Sequence, residues 1–276
     1  MKAIIVYTLL FTASFNLSVK AQKLPNVQQA GLYAPANVKV DGKVAEWGND
    51  LQAYNKSTSV FYTIANNNNN LYLVMRATNK TIVDKILGGG ATITISSRDK
   101  NNVPLSITTP LLPDINRTIV NRKTNSPDPL LDTDLNELNS AISGGLKEMA
   151  VNGLSGVTEP IISVYNEYGI KLAGQLDINK AYTCELAIPL KYINQLTGAS
   201  GVLNYNIKLN GANMANVNVQ VNGAAAATPI SSVAASSLTR LSGLSVGSSG
   251  NVVQSSSIDE LASATDFSGT YTLVKK

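Results

Sequence analysis

Few residues in this chain could carry out covalent chemistry. It has no histidine and one cysteine, Cys184. That removes the Ser-His and Cys-His nucleophilic pairs and the usual histidine-rich zinc sites. Cys184 lies in the alternating run TCELAIPL and reads as a buried structural thiol. With no second cysteine the chain forms no internal disulfide, so the fold must rely on its core. Carboxylates remain, 18 in all. A glycosidase needs only a pair of them, but no motif singles a pair out. Asp128, Asp132 and Asp134 offer oxygens for a structural calcium ion. They lack the regular spacing and central glycine of an EF-hand loop, and acidic residues at a helix start already have a dipole reason to be there. Gly88-Gly89-Gly90 could be taken for a phosphate-binding loop. No Lys-Ser/Thr follows it, and it leads into a strand pattern rather than a helix.

Aromatic side chains are the other functional currency, because a sugar ring stacks on an aromatic face. Trp47 is the only tryptophan. It belongs to a turn-rich entry, Val40 to Trp47, and is read as an inward-packing structural residue, as large rings are mostly buried. Tyr33, Tyr54, Tyr165 and Tyr168 are the candidate ligand-binding residues. Asparagines from the loops would serve hydroxyl recognition beside them.

The elements that must position these groups are mostly strands. Ser59 to Ala65 and Leu71 to Ala77 both alternate, and Asn66 to Asn70 joins them. Asparagine tolerates left-handed turn conformations, so this is a β-hairpin. Further strand patterns cover Ala91 to Ser96, Val103 to Thr109, Ile161 to Asn166, Ile170 to Ile178, Ala181 to Ile188, Val202 to Leu209 and Phe267 to Val274. Val38 and Val40 give a short strand signal ahead of the Asp41-Gly42 turn. Thr81 to Leu87 and Leu190 to Leu196 suit short helical turns. Pro110 to Pro129 reads as irregular. One longer helix is expected over Asp134 to Ala150, with an apolar stripe of Leu135, Leu138, Ile142, Leu146 and Met149 and a capping box of Asp134 with Glu137.

Residues 1 to 21 read as a secretory signal. Lys2 starts it, a short apolar run follows from Ile4 to Phe15, and cleavage is expected between Ala21 and Gln22. The run is too short to span a bilayer comfortably. This places the protein outside the cytoplasm, in the periplasm or secreted. Residues 22–37 form a polar leader, and 38–276 form a single domain with a helical insertion near 130–152. A second insertion near 210–257, rich in Ser, Ala and Asn, reads as mobile. The formal net charge of +4 includes Lys2 and Lys20 of the signal, and the basic residues are scattered. Nucleic acid is therefore not an expected partner, and no transmembrane segment is expected.

Five stretches carry a family resemblance. VDGKVAEW, NNNNLYLVMRAT, YTCELAIPLKYI, LNYNIKLN and DFSGTYTLVKK stand in an order that resembles family 9 carbohydrate-binding modules and the wider DOMON-like group of bacterial secreted proteins. The resemblance covers about Val38 to Lys276 in pieces. It implies a mainly β fold, a two-sheet antiparallel β-sandwich of jelly-roll or immunoglobulin-like layout with one inserted α-helix. Sugar-binding members clamp a terminal sugar between two tryptophans. The matching stretches here read KILGGG and SIDELASAT and hold no aromatic residue. Haem-binding members use methionine with histidine or lysine, for which Met75 or Met214 with a lysine would have to serve. Met75 patterns as core, and no cofactor is expected.

These readings point to a secreted non-catalytic binding protein, with a saccharide as its ligand. The alternative is a structural or protein-interaction component of a bacterial cell envelope that has lost the sugar site. A glycosidase is the least favoured reading.

Overall fold

The computed structural model describes residues 23–48, 51–98, 102–212 and 259–276 with their side chains, and the backbone of 218–221, 224–226, 245–248 and 251–258. The proposed signal and its cleavage site lie outside the described residues, as does Met214.

A covering segment, 23–48, ends in a 3-10 turn at Ala45–Trp47. Strands β1 (Ala53–Asn55), β2 (Val60–Asn66) and β3 (Asn70–Ala77) then meander. Helix α1 (Lys80–Gly89) leads into β4 (Ala91–Ser96) and β5 (Leu105–Thr108). Helices α2 (Asp114–Thr124) and α3 (Asp132–Gly145) precede β6 (Glu148–Asn152), β7 (Ile161–Ser163), β8 (Lys171–Leu176) and β9 (Tyr182–Pro189). Helix α4 (Leu190–Thr197) connects to β10 (Val202–Leu209). The serine-rich stretch contributes β11 (Asn218–Val221), β12 (Ala224–Ala226), β13 (Ser245–Ser248), β14 (Asn251–Gln254) and α5 (Ser255–Ala262). Strand β15 (Thr265–Thr272) closes the fold.

The protein is mainly β. A five-stranded sheet runs β1-β2-β3-β9-β8 and a six-stranded sheet β15-β10-β4-β5-β6-β7, with a separate four-stranded sheet β12-β11-β13-β14. Neighbouring strands pair antiparallel throughout. One continuous apolar cluster joins the two large sheets, with Tyr62, Leu73 and Cys184 from the first and Ile93, Ile107 and Ile207 from the second. Each of the leucine and isoleucine side chains contributes about 1.5–3 kcal/mol on leaving water. The hydroxyls of Tyr62 and Tyr205 meet across the sheets at 2.9 Å, and the Gln28 amide N–H donates to the Tyr62 hydroxyl at 2.9 Å. Phe267 packs on both rings. Burial raises the pKa of both phenols.

Two side-chain carboxamides stand in for missing strands at the edges of the first sheet. Beyond β1, Gln28 donates from Nε2 to the Ile64 carbonyl and accepts at Oε1 from the Ile64 amide, both at 2.8 Å. On the far edge, Asn139 of α3 donates to the Leu176 carbonyl at 2.9 Å and accepts from its amide at 2.8 Å. A carboxamide carries the same donor and acceptor as a peptide unit. Each therefore satisfies one residue of an exposed edge, which would otherwise be a pairing hazard.

The hairpin of β2 and β3 has the expected turn. Asn67 Oδ1 accepts from the amides of Asn69 and Asn70 at 2.8 Å each. Asn66 does something different. It is buried, accepts from the Tyr271 hydroxyl and the Val274 amide, and donates to the Val274 carbonyl, so it ties β2 to the C-terminal strand.

Several expectations are corrected. The segment read as irregular, Pro110 to Pro129, contains α2, which starts directly after Pro113 and packs on α3. The inserted helical part is thus a hairpin of two helices rather than a single one. Helix α3 stops at Gly145, five residues early, because Gly144-Gly145 is a poor helix interior and Glu148–Asn152 pairs between β5 and β7. Leu146 and Met149 still reach the core from outside the helix. The capping box is absent, since Leu131 is the N-cap and Asp134 and Glu137 instead accept from Lys123 Nζ at 2.6 and 2.7 Å. Val38 and Val40 form no strand among the described residues; the bridge made there is Tyr33 with Asn66.

Removing the Tyr62 hydroxyl tests the inter-sheet pairing. Tyr62→Phe leaves the Gln28 amide and the Tyr205 hydroxyl without a partner, at a cost of about 1–3 kcal/mol in urea unfolding. Because both tyrosines share one interaction, Tyr62→Phe/Tyr205→Phe should cost less than the sum of the two single changes.

Candidate binding surface

The two large sheets differ in what their outer faces carry. In β2, β3 and β9 nearly every residue is buried, so both faces of the first sheet are covered along these three strands. Its outer face is sealed by segment 23–48. Ala34 packs there on Ala65, Tyr72 and Ala187, with Leu32, Val38, Val40 and Trp47 alongside. One carboxylate pins this cover. Glu185 points outward from β9 yet is 2 % exposed. Its Oε2 accepts from the amides of Asp41 and Gly42 at 2.8 and 2.7 Å, and its Oε1 from the Trp47 indole N–H at 2.7 Å. Burial raises the carboxyl pKa, and the three donors oppose that rise. Gly42 has φ +84 and sits against the backbone of Gly174 and Gln175, where a Cβ would collide.

The second sheet is open on its outer side. Strands β4, β5, β6 and β10 alternate strictly between buried and accessible residues. This is the pattern of an antiparallel sheet with one solvated face. The register aligns the outward residues in rows across the strands. One row runs Asp266, Lys208, Thr92, Thr108, Ala150, Ile161. The next runs Ser268, Asn206, Thr94, Ser106, Asn152, and a third Thr270, Asn204, Ser96. None of these side chains is buried. Neighbouring members fix one another. The Thr92 and Thr108 hydroxyls are 2.8 Å apart, Asn210 Nδ2 donates to Thr92 at 3.1 Å, and Asn206 Nδ2 donates to Asp266 and Ser268 at 2.7 and 3.0 Å. Hydroxyls and carboxamides both donate and accept, so this face can hydrogen-bond a polyhydroxylated ligand in either sense.

The tyrosines named from the sequence are not brought together. Tyr33 bridges to Asn66 at one end of β2 and lies under the Lys276 ammonium. Tyr54 pairs with Phe61 near the other end, ring centroids 4.6 Å apart. Five residues of strand separate these positions, about 17 Å. Tyr168 packs partly on the core and donates to Glu159 Oε2 at 2.9 Å, which raises its own pKa. Tyr165 is 86 % exposed, two residues beyond Ser163 at the β7 edge of the open face, and its amide donates to the Ser163 hydroxyl. It is the one of the four that is exposed.

Trp47, read as an inward-packing structural residue, is half-buried against the smaller apolar cluster on the outer face rather than in the main core, 5.8 Å from the Tyr72 ring. A buried indole N–H needs an acceptor, and Glu185 supplies one on the outer face. Cys184 is buried opposite Met75 and Gly174, and burial pushes its thiol up to about 12, a poor nucleophile. Met75 is 2 % exposed in the core. The glycine triplet has a packing role. Gly89 faces the carbonyls of Asn210 and Gly211 too closely for a Cβ, and Gly90 turns at φ +74. Lys85, fully buried on α1, donates to the Thr265 hydroxyl at 3.0 Å; burial lowers its pKa.

Of the aspartates considered for calcium, Asp134 is held by Lys123, and Asp128 and Asp132 are exposed. Among the described residues no three His, Cys, Asp or Glu side chains are grouped to hold a metal ion. Nor is any helix among them long and apolar enough to cross a membrane. A void between the sheets, lined by Ile64, Leu73, Ile93, Leu203 and Ile207 among others, measures about 10 Å³. Small-molecule pockets take roughly 300–1,000 Å³, so this one holds neither a sugar nor a haem. The open face was missed in the sequence. Its signal was the Thr/Ser/Asn at alternate positions of ATITIS, LSIT and VLNYNIKL, which reads as ordinary solvated strand until the register aligns it.

No known family model matches the chain, and no curated protein matches it.

Glu185→Ala would strand three donors and cost about 1–3 kcal/mol in denaturant unfolding. The raised carboxyl pKa means that the folded state holds this proton more tightly than the unfolded chain. Its contribution is therefore full below the ordinary glutamate range and declines as pH rises through the raised value. The wild-type advantage over Glu185→Ala should shrink between acid and neutral pH; growth over that range would contradict the assignment.

Proposed function

We propose that this is a non-catalytic binding protein acting outside the cytoplasm, with a saccharide as its ligand and the outer face of the six-stranded sheet as its binding surface. The observation that carries this reading is the alignment of accessible hydroxyl and carboxamide side chains in cross-strand rows on that face. Sugar hydroxyls need such groups, and hydrogen bonds already made within the rows reduce the ordering cost of binding. Tyr165, two residues past the end of β7, offers an exposed ring. The scaffold is proposed as a two-layer β-sandwich, in line with the resemblance to family 9 carbohydrate-binding modules and DOMON-like proteins. The apolar cluster shared by the two sheets supports that layout. The apolar run at 4–15 supports export, and no cofactor is invoked.

The second reading, a cell-envelope structural or interaction component, is favoured by one observation. The lone tryptophan is committed to Glu185 and Tyr72, so no tryptophan clamp is available to a terminal sugar.

A glycan array probed with the mature protein tests the first reading. Binding to at least one glycan class is expected, lost from a protein carrying Thr92→Val, Thr94→Val and Ser106→Ala but retained in Tyr54→Ala. An array without signal would leave the envelope reading in possession.

A further inference from the structure

We infer that the ligand is an internal stretch of an uncharged, extended polysaccharide lying across the strands, not a sugar residue captured at a chain end; this rests on the saccharide reading above. Length is the first argument. The row from Asp266 to Ile161 crosses six strands. With strands about 4.8 Å apart it extends about 24 Å, which is several sugar rings and far more than one ring can contact. A second row lies parallel to it, two residues along each strand, about 6.6 Å away. A chain on this face would meet donors and acceptors from both rows along its length.

Relief is the second argument. Apart from Lys208 on β10, the interior of both rows is built from Thr, Ser, Asn and Ala, all short. No side chain there rises to form a wall against which a terminal residue could be held. The larger groups stand toward the two ends, Lys208 on β10 and Ile161 on β7, with the exposed Tyr165 two residues past β7.

Charge is the third. The rows hold one cation and one anion, Lys208 and Asp266, directly opposite each other on β10 and β15. Their fields cancel at short range, and Glu148 on β6 adds an anion at the far margin. A polyanionic chain would find no cationic row, and an apolar partner would find almost no apolar surface. The complementary ligand is neutral and rich in hydroxyls. Sheet twist narrows it further. Adjacent strands rotate by about 20–25°, so the rows wind across the face. A single chain can follow that winding, whereas the flat face of a crystalline solid cannot.

The experiment is titration calorimetry of the mature full-length protein with neutral oligosaccharides of increasing length, taken from the glycan class that binds on the array. Each is also used after borohydride reduction of its end residue. Affinity should rise at least tenfold from disaccharide to hexasaccharide, be unchanged by end reduction, and change less than twofold with EDTA or between low and moderate salt. Thr94→Val/Ser106→Ala, two partly exposed strand positions, should weaken the hexasaccharide about tenfold or more. That is about 1.4 kcal/mol or more for two hydroxyls removed; circular dichroism would confirm that the variant folds. Length-independent binding, loss on end reduction, tighter binding of a uronate chain, or loss in Tyr165→Ala with none in the row variant would each overturn this inference and leave the saccharide reading standing. Failure of every glycan to bind would overturn both.

Discussion

A single buried carboxylate decides how this fold is divided between scaffold and surface. Glu185 reaches outward from β9 of the five-stranded sheet and meets the Asp41 and Gly42 amides and the Trp47 indole. A carboxyl group so deeply buried is costly unless its oxygens are satisfied, and three donors satisfy these. In return it fixes the turn of segment 23–48 over the sheet, and Leu32, Ala34, Val38 and Val40 close around Tyr72. Strands β2, β3 and β9 of the first sheet are thereby buried on both faces. The second has no such cover over its described outward residues and keeps a polar side toward water.

That asymmetry organises the rest. A doubly covered sheet must be bonded at its ends and edges, and polar side chains do much of this. Gln28 and Asn139 each close one residue of an edge, and Asn66 holds β2 to the C-terminal strand. The Tyr62–Tyr205 hydroxyl pair crosses the core between the sheets. A backbone held at so many points can keep the rows on the second sheet in register. A surface of short side chains depends on that register more than a pocket would, since its recognition lies in the spacing of weak groups.

Much of the β architecture was legible from alternation. The runs around Ser59–Ala65, Leu71–Ala77, Ala91–Ser96 and Val202–Leu209 became strands within a residue or two of the expected limits. Helix limits were less legible. The stripe Leu138, Ile142, Leu146, Met149 continues into the core, but its last members belong to a loop and a strand, because an apolar spacing records burial and not hydrogen bonding. Helix α2 was hidden by the prolines around it, although a proline just before a helix start is well tolerated there. The candidate site was not legible at all. Isolated tyrosines drew attention because aromatics carry recognisable chemistry, and three of the four are placed by packing or pairing contacts elsewhere.

What the amino-acid order determined alone is local and periodic: which residues alternate, where asparagines and glycines permit a turn, and that no histidine or second cysteine is present for the common nucleophilic and zinc chemistries. The motifs DGKVAEW and TCELAIPL were visible separately. That Glu185 of one grips the turn and the tryptophan of the other, 138 residues apart, was decided by tertiary structure. So was the alignment of Thr92 with Thr108 and of Asn206 with Thr94. The physical reason is the same in both cases. A strand shows which residues share its face, but only pairing with its neighbours and the covering of one sheet determine which face meets water and which side chains stand side by side on it.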